Sequence, residues 1–454
     1  MPSDGDGIHD VAGCAEKGHG VFQRVEQAII RARKFTLPVR AAKESRGFGR
    51  VGGMSFPDHV AVLAGLVRRP SVNPMGRDVS GPQYLEGRVS DFLCQQFATA
   101  GIPWVRQPVA PGRDNVIARL EGTVPDSPVI LWDAHQDTVP GEGMSIEPFV
   151  PLVRDGRMYG RGTCDVKGGL AAMTVALERL ARVPDRRATV VLAATVNEEF
   201  GFSGALALSR LWGTEDVAPV DPAVRALVTR RPDVAFVAEP TGLDLVVAHK
   251  GSLKWRVRVQ GRACHGAFPE QGENALYAAA RAALAIESLA GELLGRNPEH
   301  PCGPPTLSLG TLHGGTGVNL VPDLAVLELE RRLLPGESAA AARAEVIARI
   351  AAACPHVRIE HEPPFNDAYG LPDGTAASQA APWVEALAAA AARTGRGRRT
   401  AARYGTNAGV YAAAGVPSVV FGPGSIAQAH TADEWIDLDE LACAVDILVA
   451  AVSG

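Results

Sequence analysis

Hydrophobic positions change their period along the chain, and the changes mark out elements. The segment FPDHVAVLAGLVRRPSV sets Val60, Leu63 and Val67 at three- and four-residue spacing and predicts a helix. PVILWDAHQD is an apolar run without alternation and predicts a strand buried on both faces. GGLAAMTVALERLARV predicts a helix after a glycine-rich turn, and ATVVLAATVNEE and DVAFVAEP predict two further strands. Strands separated by helices imply an α/β fold with a mostly parallel central sheet and helices on both faces.

Near Leu245 the pattern shifts to strict alternation. In SLKWRVRVQGRACHG, Leu253, Trp255, Val257 and Val259 share one face while Lys254, Arg256 and Arg258 share the other. That is a sheet with one wet face. A helix from Ala275, a second alternating run in LELERRLLP and a helix in AAAARAEVIARIAAA complete a small α+β domain over residues 245–363, inserted into the larger one. The larger domain, begun at residues 54–244, resumes over 364–454 with the helix APWVEALAAAAART and the strand GVPSVVFGPG.

Composition narrows the function. A chain of 454 residues exceeds one ordinary core. A formal net charge of −5 argues against a nucleic-acid partner, because phosphate binding needs clustered cations. No run approaches the roughly 18 to 20 apolar residues of a membrane span. Seven cysteines, an odd number without a C-x-x-C pair, read as reduced thiols in a cytoplasm. Residues 1–53 lack the apolar stretch of a secretory signal. They read either as an upstream start with Met54 the true beginning, or as a short amphipathic helix, VFQRVEQAIIRARKF, tethered to the body.

The candidate chemistry sits where strands end, which is where open α/β sheets place their sites. LWDAHQDTVP closes its strand on His135, with Asp137 two residues on as a carboxylate partner for the imidazole. GRGTCDVKGG puts Asp165 in a turn before a helix, and TVNEEFGFSG ends a strand on Glu198 and Glu199. VAEPTG ends another on Glu239, and GPGSIAQAHTADEW carries His430. Singly, Asp165 reads equally as a helix cap, the Glu pair as solvated surface, and the others as strand-end or loop residues. Together they give two imidazoles and three carboxylates with Glu198 left over, too many for one tetrahedral zinc. A bridging Asp165 would serve two ions about 3.5 to 4 Å apart. The spare Glu198 then suits a general base. GRGTCDVKGG is not a phosphate-cradling loop, since Lys167 is not followed by serine or threonine.

DAHQDTVP, GRGTCDVKGG, NEE, AEPT, GRACHGAFP and GPGSIAQAH, in this order from about Met54 onward, resemble the family of acetylornithine deacetylase, succinyl-diaminopimelate desuccinylase, aminoacylase and glutamate carboxypeptidase. The resemblance implies a two-zinc amidohydrolase acting on a small N-acyl amino acid or dipeptide, with N-acetylornithine favoured and cobalt able to substitute. It implies that His135 and Glu239 hold one zinc and Glu199 and His430 the other, with Asp165 bridging, Asp137 behind His135 and Glu198 as base. It further implies a homodimer built by the inserted domain, with His265 reaching the partner's site to steady an oxyanion. By the same resemblance Asn319 and Arg332 bind the substrate's carboxylate, and Gly405 and Thr406 approach it with backbone and hydroxyl; a cross-strand ion pair is the competing reading of Arg332. The chain departs from the family at Ala134, where glycine is usual, and at Cys164 and Cys264, which flank Asp165 and His265.

Overall fold

The strand Val129–His135 is buried along its whole length because both of its faces are covered. In the computed structural model, which describes residues 50–51, 54–55, 57–212, 221–228 and 230–453, Ile130, Trp132 and Ala134 pack into one core. That core is filled by the helices Asp58–Val67, Lys167–Leu180, Ala381–Ala392 and Leu438–Ser453. Val129 and Leu131 point the other way, into a core shared with the helices Ser203–Ser209 and Asn407–Ala413. A two-sided strand has no wet face, so its hydrophobicity does not alternate. The methyl of Ala134 is fully buried in the first core.

Eight strands form the central sheet, in the spatial order Arg399–Ala402, Leu245–His249, Ser418–Val420, Val234–Val237, Val129–His135, Thr189–Thr195, Arg113–Leu120 and Trp104–Ala110. The four strands from Ser418–Val420 to Thr189–Thr195 run parallel. Antiparallel neighbours flank them on both sides, so the sheet is mixed, with a parallel centre. One polar group interrupts this interior. Asp133 lies on the second face and accepts hydrogen bonds from Asn407 Nδ2, Tyr411 Oη and Thr195 Oγ1. Burial still pushes its carboxyl up to about 6.

The second sheet is antiparallel throughout, with Thr306–Gly314, Leu324–Leu333 and Gly251–Gln260 in order and Arg358–His361 and Asn366–Ala368 both pairing with the last of these. Leu253, Trp255, Val257 and Val259 pack under the helices Ala275–Leu294 and Ala339–Ala353, as the alternation predicts. Lys254 and Arg256 on the wet face pair across the sheet with Glu330 and Glu328. Asn274 and Ser338 cap the two helices, accepting from Leu276 N and Ala341 N respectively. The expected boundaries shift. Leu245–His249 hydrogen-bonds into the central sheet, so the second sheet begins at Gly251 and runs on to Ala368, past residue 363. Leu245 to Ala248 are themselves apolar, and sequence texture alone does not say which sheet supplies their partners. Of residues 1–53, the described part is Arg50–Val51, which pairs antiparallel with Met54–Ser55; VFQRVEQAIIRARKF lies outside the described residues.

His249 ends its strand without exposure. Its Nδ1 donates to the Lys250 carbonyl at 2.9 Å, and its Nε2 accepts from Thr406 Oγ1 at 3.0 Å, which is the neutral tautomer. Burial lowers its pKa to about 4 from an ordinary 6.5. The unfolded chain therefore takes up a proton that the folded one refuses, and stability present above pH 6.5 is lost as pH falls toward 4. The loss is expected to reach about 3 kcal/mol. Urea unfolding near pH 7 and near pH 4 should show a loss of stability on acidification that is smaller in His249→Gln than in the native chain by about 3 kcal/mol.

Candidate metal centre

The four parallel strands deliver their C-terminal ends side by side, and the candidate ligands follow those ends. His135 is the last residue of its strand. Glu198 and Glu199 open the short helix Glu198–Gly201 just after Thr189–Thr195. Glu239 comes two residues after Val234–Val237, and His430 lies in the loop after Ser418–Val420. Asp165 ends the turn between Arg157–Tyr159 and the helix Lys167–Leu180. The Glu pair is presented by backbone turns on either side of it, with Asn197 at φ 63° and Phe202 at φ 55°. Asparagine tolerates that left-handed conformation better than most residues. Its side chain is held as well, Oδ1 accepting from Asn73 Nδ2 and Arg113 Nη1.

Asp165 lies between the two histidines. Its Oδ1 is 3.1 Å from His135 Nε2 and its Oδ2 is 3.2 Å from His430 Nε2, while His430 Nε2 is 3.3 Å from Glu199 Oε2. Two donors about 2.0 to 2.2 Å from one tetrahedral ion stand roughly 3.3 to 3.5 Å apart, so these separations suit a shared ion. Donor atoms of His135, Asp165 and Glu199 come together within 4.8 Å, as do those of His135, Glu198 and Glu239.

Charge gives an independent test of that fit. Burial raises Glu198 to about 8, a rise that His135 opposes and that Glu199, Asp165 and Asp137 reinforce. Burial also raises Glu239 and Glu199, with Asp165 adding to both. Asp165 differs. Burial works against its charge too, but hydrogen bonds from His135 and His430 outweigh it and hold the carboxyl below its ordinary range. Hydrogen bonds to Asp165 and Glu199 lift His430 to about 11. In the metal-free protein, then, protonated imidazoles supply the missing positive charge. Buried Glu199 Oε1 has no hydrogen-bond partner. An unpaired carboxylate oxygen beside two imidazoles fits a divalent cation, whose binding would displace protons.

Asp137 sits behind this cluster in a different way from that expected. His135 Nδ1 donates to its main-chain carbonyl at 2.9 Å, whereas its carboxylate Oδ1 is 3.7 Å away. The carboxylate instead accepts from Asn73 Nδ2, Glu198 N and Glu199 N. The chain leaves extended geometry after His135, so the same-face rule for alternate residues no longer applies. Asp137 thereby fixes the imidazole through its backbone and the Glu pair through its side chain.

Arg332 and Gly405 line the cleft over the cluster, with Lys254, Tyr404 and Ile426. Arg332 pairs with Glu330 along its own strand at 2.7 Å. Thr406 does not reach the cleft: it is fully buried, its hydroxyl donating to His249 and accepting from Ala408 N as a helix cap. His265 and Asn319 lie together, since His265 pairs with Leu320 and Gly266 N donates to the Asn319 carbonyl, but neither lines this chain's cleft. Cys164 turns its thiol to the Ser425 carbonyl, and burial raises its pKa well above the ordinary value. Asn73 and Glu434, which hold parts of the site, escaped sequence reasoning. Asn73 sits in a polar loop far from the other motifs, and the one hint for Glu434 is an acid four residues beyond His430.

A model of peptidase family M20/M25/M40 matches residues 131–454. The acetylornithine deacetylase of Edwardsiella ictaluri (strain 93-146) is 30% identical over 392 residues, which cover 85% of this chain and 94% of that protein. A probable carboxypeptidase of Emericella nidulans is 32% identical over 378 residues, 79% of this chain and 83% of that one. Among solved structures, an M20 family metallo-carboxypeptidase from Sulfolobus solfataricus superposes with a TM-score of 0.68 at 16% identity, over 87% of this chain and 98% of its own. A dinuclear metal binding peptidase from Bacillus subtilis gives 0.58 at 17% identity, over 87% and 96%. At such identities the structural matches establish the fold.

Divalent ion should stabilise the protein by mass action. At free zinc 100-fold above its dissociation constant, each site is expected to add about 2.7 kcal/mol. Thermal unfolding with zinc and with chelator measures this, and equal Tm values in both would exclude a metal centre here.

Proposed function

The chain belongs to peptidase family M20/M25/M40 and is a metal-dependent hydrolase, and from that premise we propose that it cleaves the amide bond of small N-acyl amino acids, with N-acetylornithine as its favoured substrate. The supporting observation is the convergence of His135, His430, Asp165, Glu199 and Glu239 around a further buried carboxylate, Glu198, which also comes within 4.8 Å of donor atoms of His135 and Glu239. In this reading His135 and Glu239 would hold one zinc ion and Glu199 and His430 the other, with Asp165 available to both; cobalt could substitute, since N/O sites discriminate weakly among these metals. When bound, the two ions supply Lewis acidity toward the scissile carbonyl and the attacking water.

The chain's own groups do the rest. Glu198 takes a proton from water as its oxygen bonds to the acyl carbon, then passes that proton to the nitrogen as the C–N bond breaks, leaving a carboxylic acid and an amine; the acid's proton then moves to the amine, giving carboxylate and ammonium. Asp137 holds the backbone of Glu198 so that its carboxylate faces the reacting centre. Arg332 binds the substrate's carboxylate, and Gly405 lets the substrate pass close to it, because a side chain there would press toward the Lys250 carbonyl. We assign His265 and Asn319 to the site of a second copy, so that a homodimer completes each cleft and His265 steadies the oxyanion. A reducing, cytoplasmic setting accords with six free cysteines among the described residues. The domain division we propose is a catalytic part and an inserted dimerisation part at residues 251–368. A second reading, cleavage of a dipeptide, draws on the probable carboxypeptidase among the relatives.

Glu198→Ala is expected to keep two equivalents of metal while kcat falls by at least about 10²- to 10⁴-fold; comparable turnover would remove Glu198 from its role as base. His135→Ala is expected to lose metal itself, as read by elemental analysis. On a panel of N-acetylornithine, N-succinyl-diaminopimelate and dipeptides, kcat/KM should be highest for N-acetylornithine. Faster turnover of the dipeptides would favour the second reading.

A further inference from the structure

We infer that Glu434 is a positioning residue that sets the spacing between Asp165 and His430, and through it the affinity of the ion they share. The inference rests on the two-ion reading above. Glu434 is fully buried, and no ligand role is open to it because both of its oxygens are already engaged. Oε1 accepts the backbone N–H groups of Cys164 at 2.8 Å and Asp165 at 3.0 Å. Oε2 accepts from Gly162 N at 2.9 Å and from Arg161 Nη1 at 2.8 Å. Its main-chain carbonyl accepts from Gly160 N at 3.0 Å.

One carboxylate thus gathers the turn that carries Asp165 while standing four residues from His430 on the other loop. Three convergent N–H donors demand an acceptor with two free oxygens. A glutamine has one, and its amide hydrogens would face donors. With the tie removed, the Asp165 turn is free to move relative to the His430 loop. Asp165 would serve both ions, but only one of them would also take His430 from the other loop; the other would take His135, at the end of its strand, and Glu239, two residues beyond the neighbouring parallel strand.

Groups that orient metal ligands typically cost roughly 10- to 100-fold in affinity when lost. Calorimetric titration of metal-free protein with zinc should therefore show, for Glu434→Gln, one equivalent within a few-fold of the native value and the second weaker by roughly 10- to 100-fold. Cobalt absorption should change for the second equivalent alone. A merely structural role would lower the Tm of the metal-free protein and leave both affinities unchanged or equally reduced, and either result overturns the inference. If Glu434→Gln does not accumulate folded, Glu434→Asp, which keeps the charge but shortens its reach, is read by the same two affinities. Failure of the native chain to bind two ions would instead overturn the two-ion reading itself.

Discussion

Several carboxylates buried within a few ångströms of one another cannot all carry charge unless positive charge is brought among them. Asp165, Glu198, Glu199 and Glu239 meet that condition at one end of the central sheet, and the remaining features of the site answer to it. Without metal, protonated His135 and His430 and raised carboxyl pKa values supply the balance. Divalent ions bound there would instead leave the imidazoles neutral and the carboxylates anionic.

Holding such a cluster open requires a scaffold stiffer than the repulsion it contains. Four parallel strands with both faces packed provide it, because their ends cannot move independently of two hydrophobic cores. The turns beyond those ends are tied by side chains that take no direct part in the reaction. Asp137 gathers the Glu198 and Glu199 amides, Asn197 bridges Asn73, Arg113 and Ser203, and Glu434 gathers the Asp165 turn. Each is buried or half-buried; Asp137 and Glu434 satisfy backbone N–H groups that a loop would otherwise leave to water, and Asn197 ties side chains of three separate segments together. The second sheet contributes differently, lending Lys254 and Arg332 from its wet face to one wall of the cleft.

Much of this was legible in the linear sequence, and for a physical reason. Periodicity reports which faces of an element are wet, so the two-sided strand ending at His135 and the one-sided strand through Trp255 announced two kinds of sheet. Residue type reports chemistry, so His135, Asp165, Glu198, Glu199, Glu239 and His430 stood out at the ends of predicted elements. What depends on partners was not legible. The strand Leu245–His249 has its texture from burial alone, and only hydrogen bonding assigns it to the central sheet. Thr406 carries a hydroxyl suited to a substrate, yet the proximity of His249 turns it inward.

Sequence by itself determined the class of fold and singled out the cluster of imidazole and carboxylate side chains at the strand ends, because period and side-chain chemistry are local properties. Tertiary structure alone decided that Asp137 works through its backbone and two glutamate amides, that the second sheet starts at Gly251, and that Glu434 stands behind Asp165. Those are relations between segments, Glu434 lying hundreds of residues from Asp137, and no local pattern encodes the distance between two points that only folding brings together.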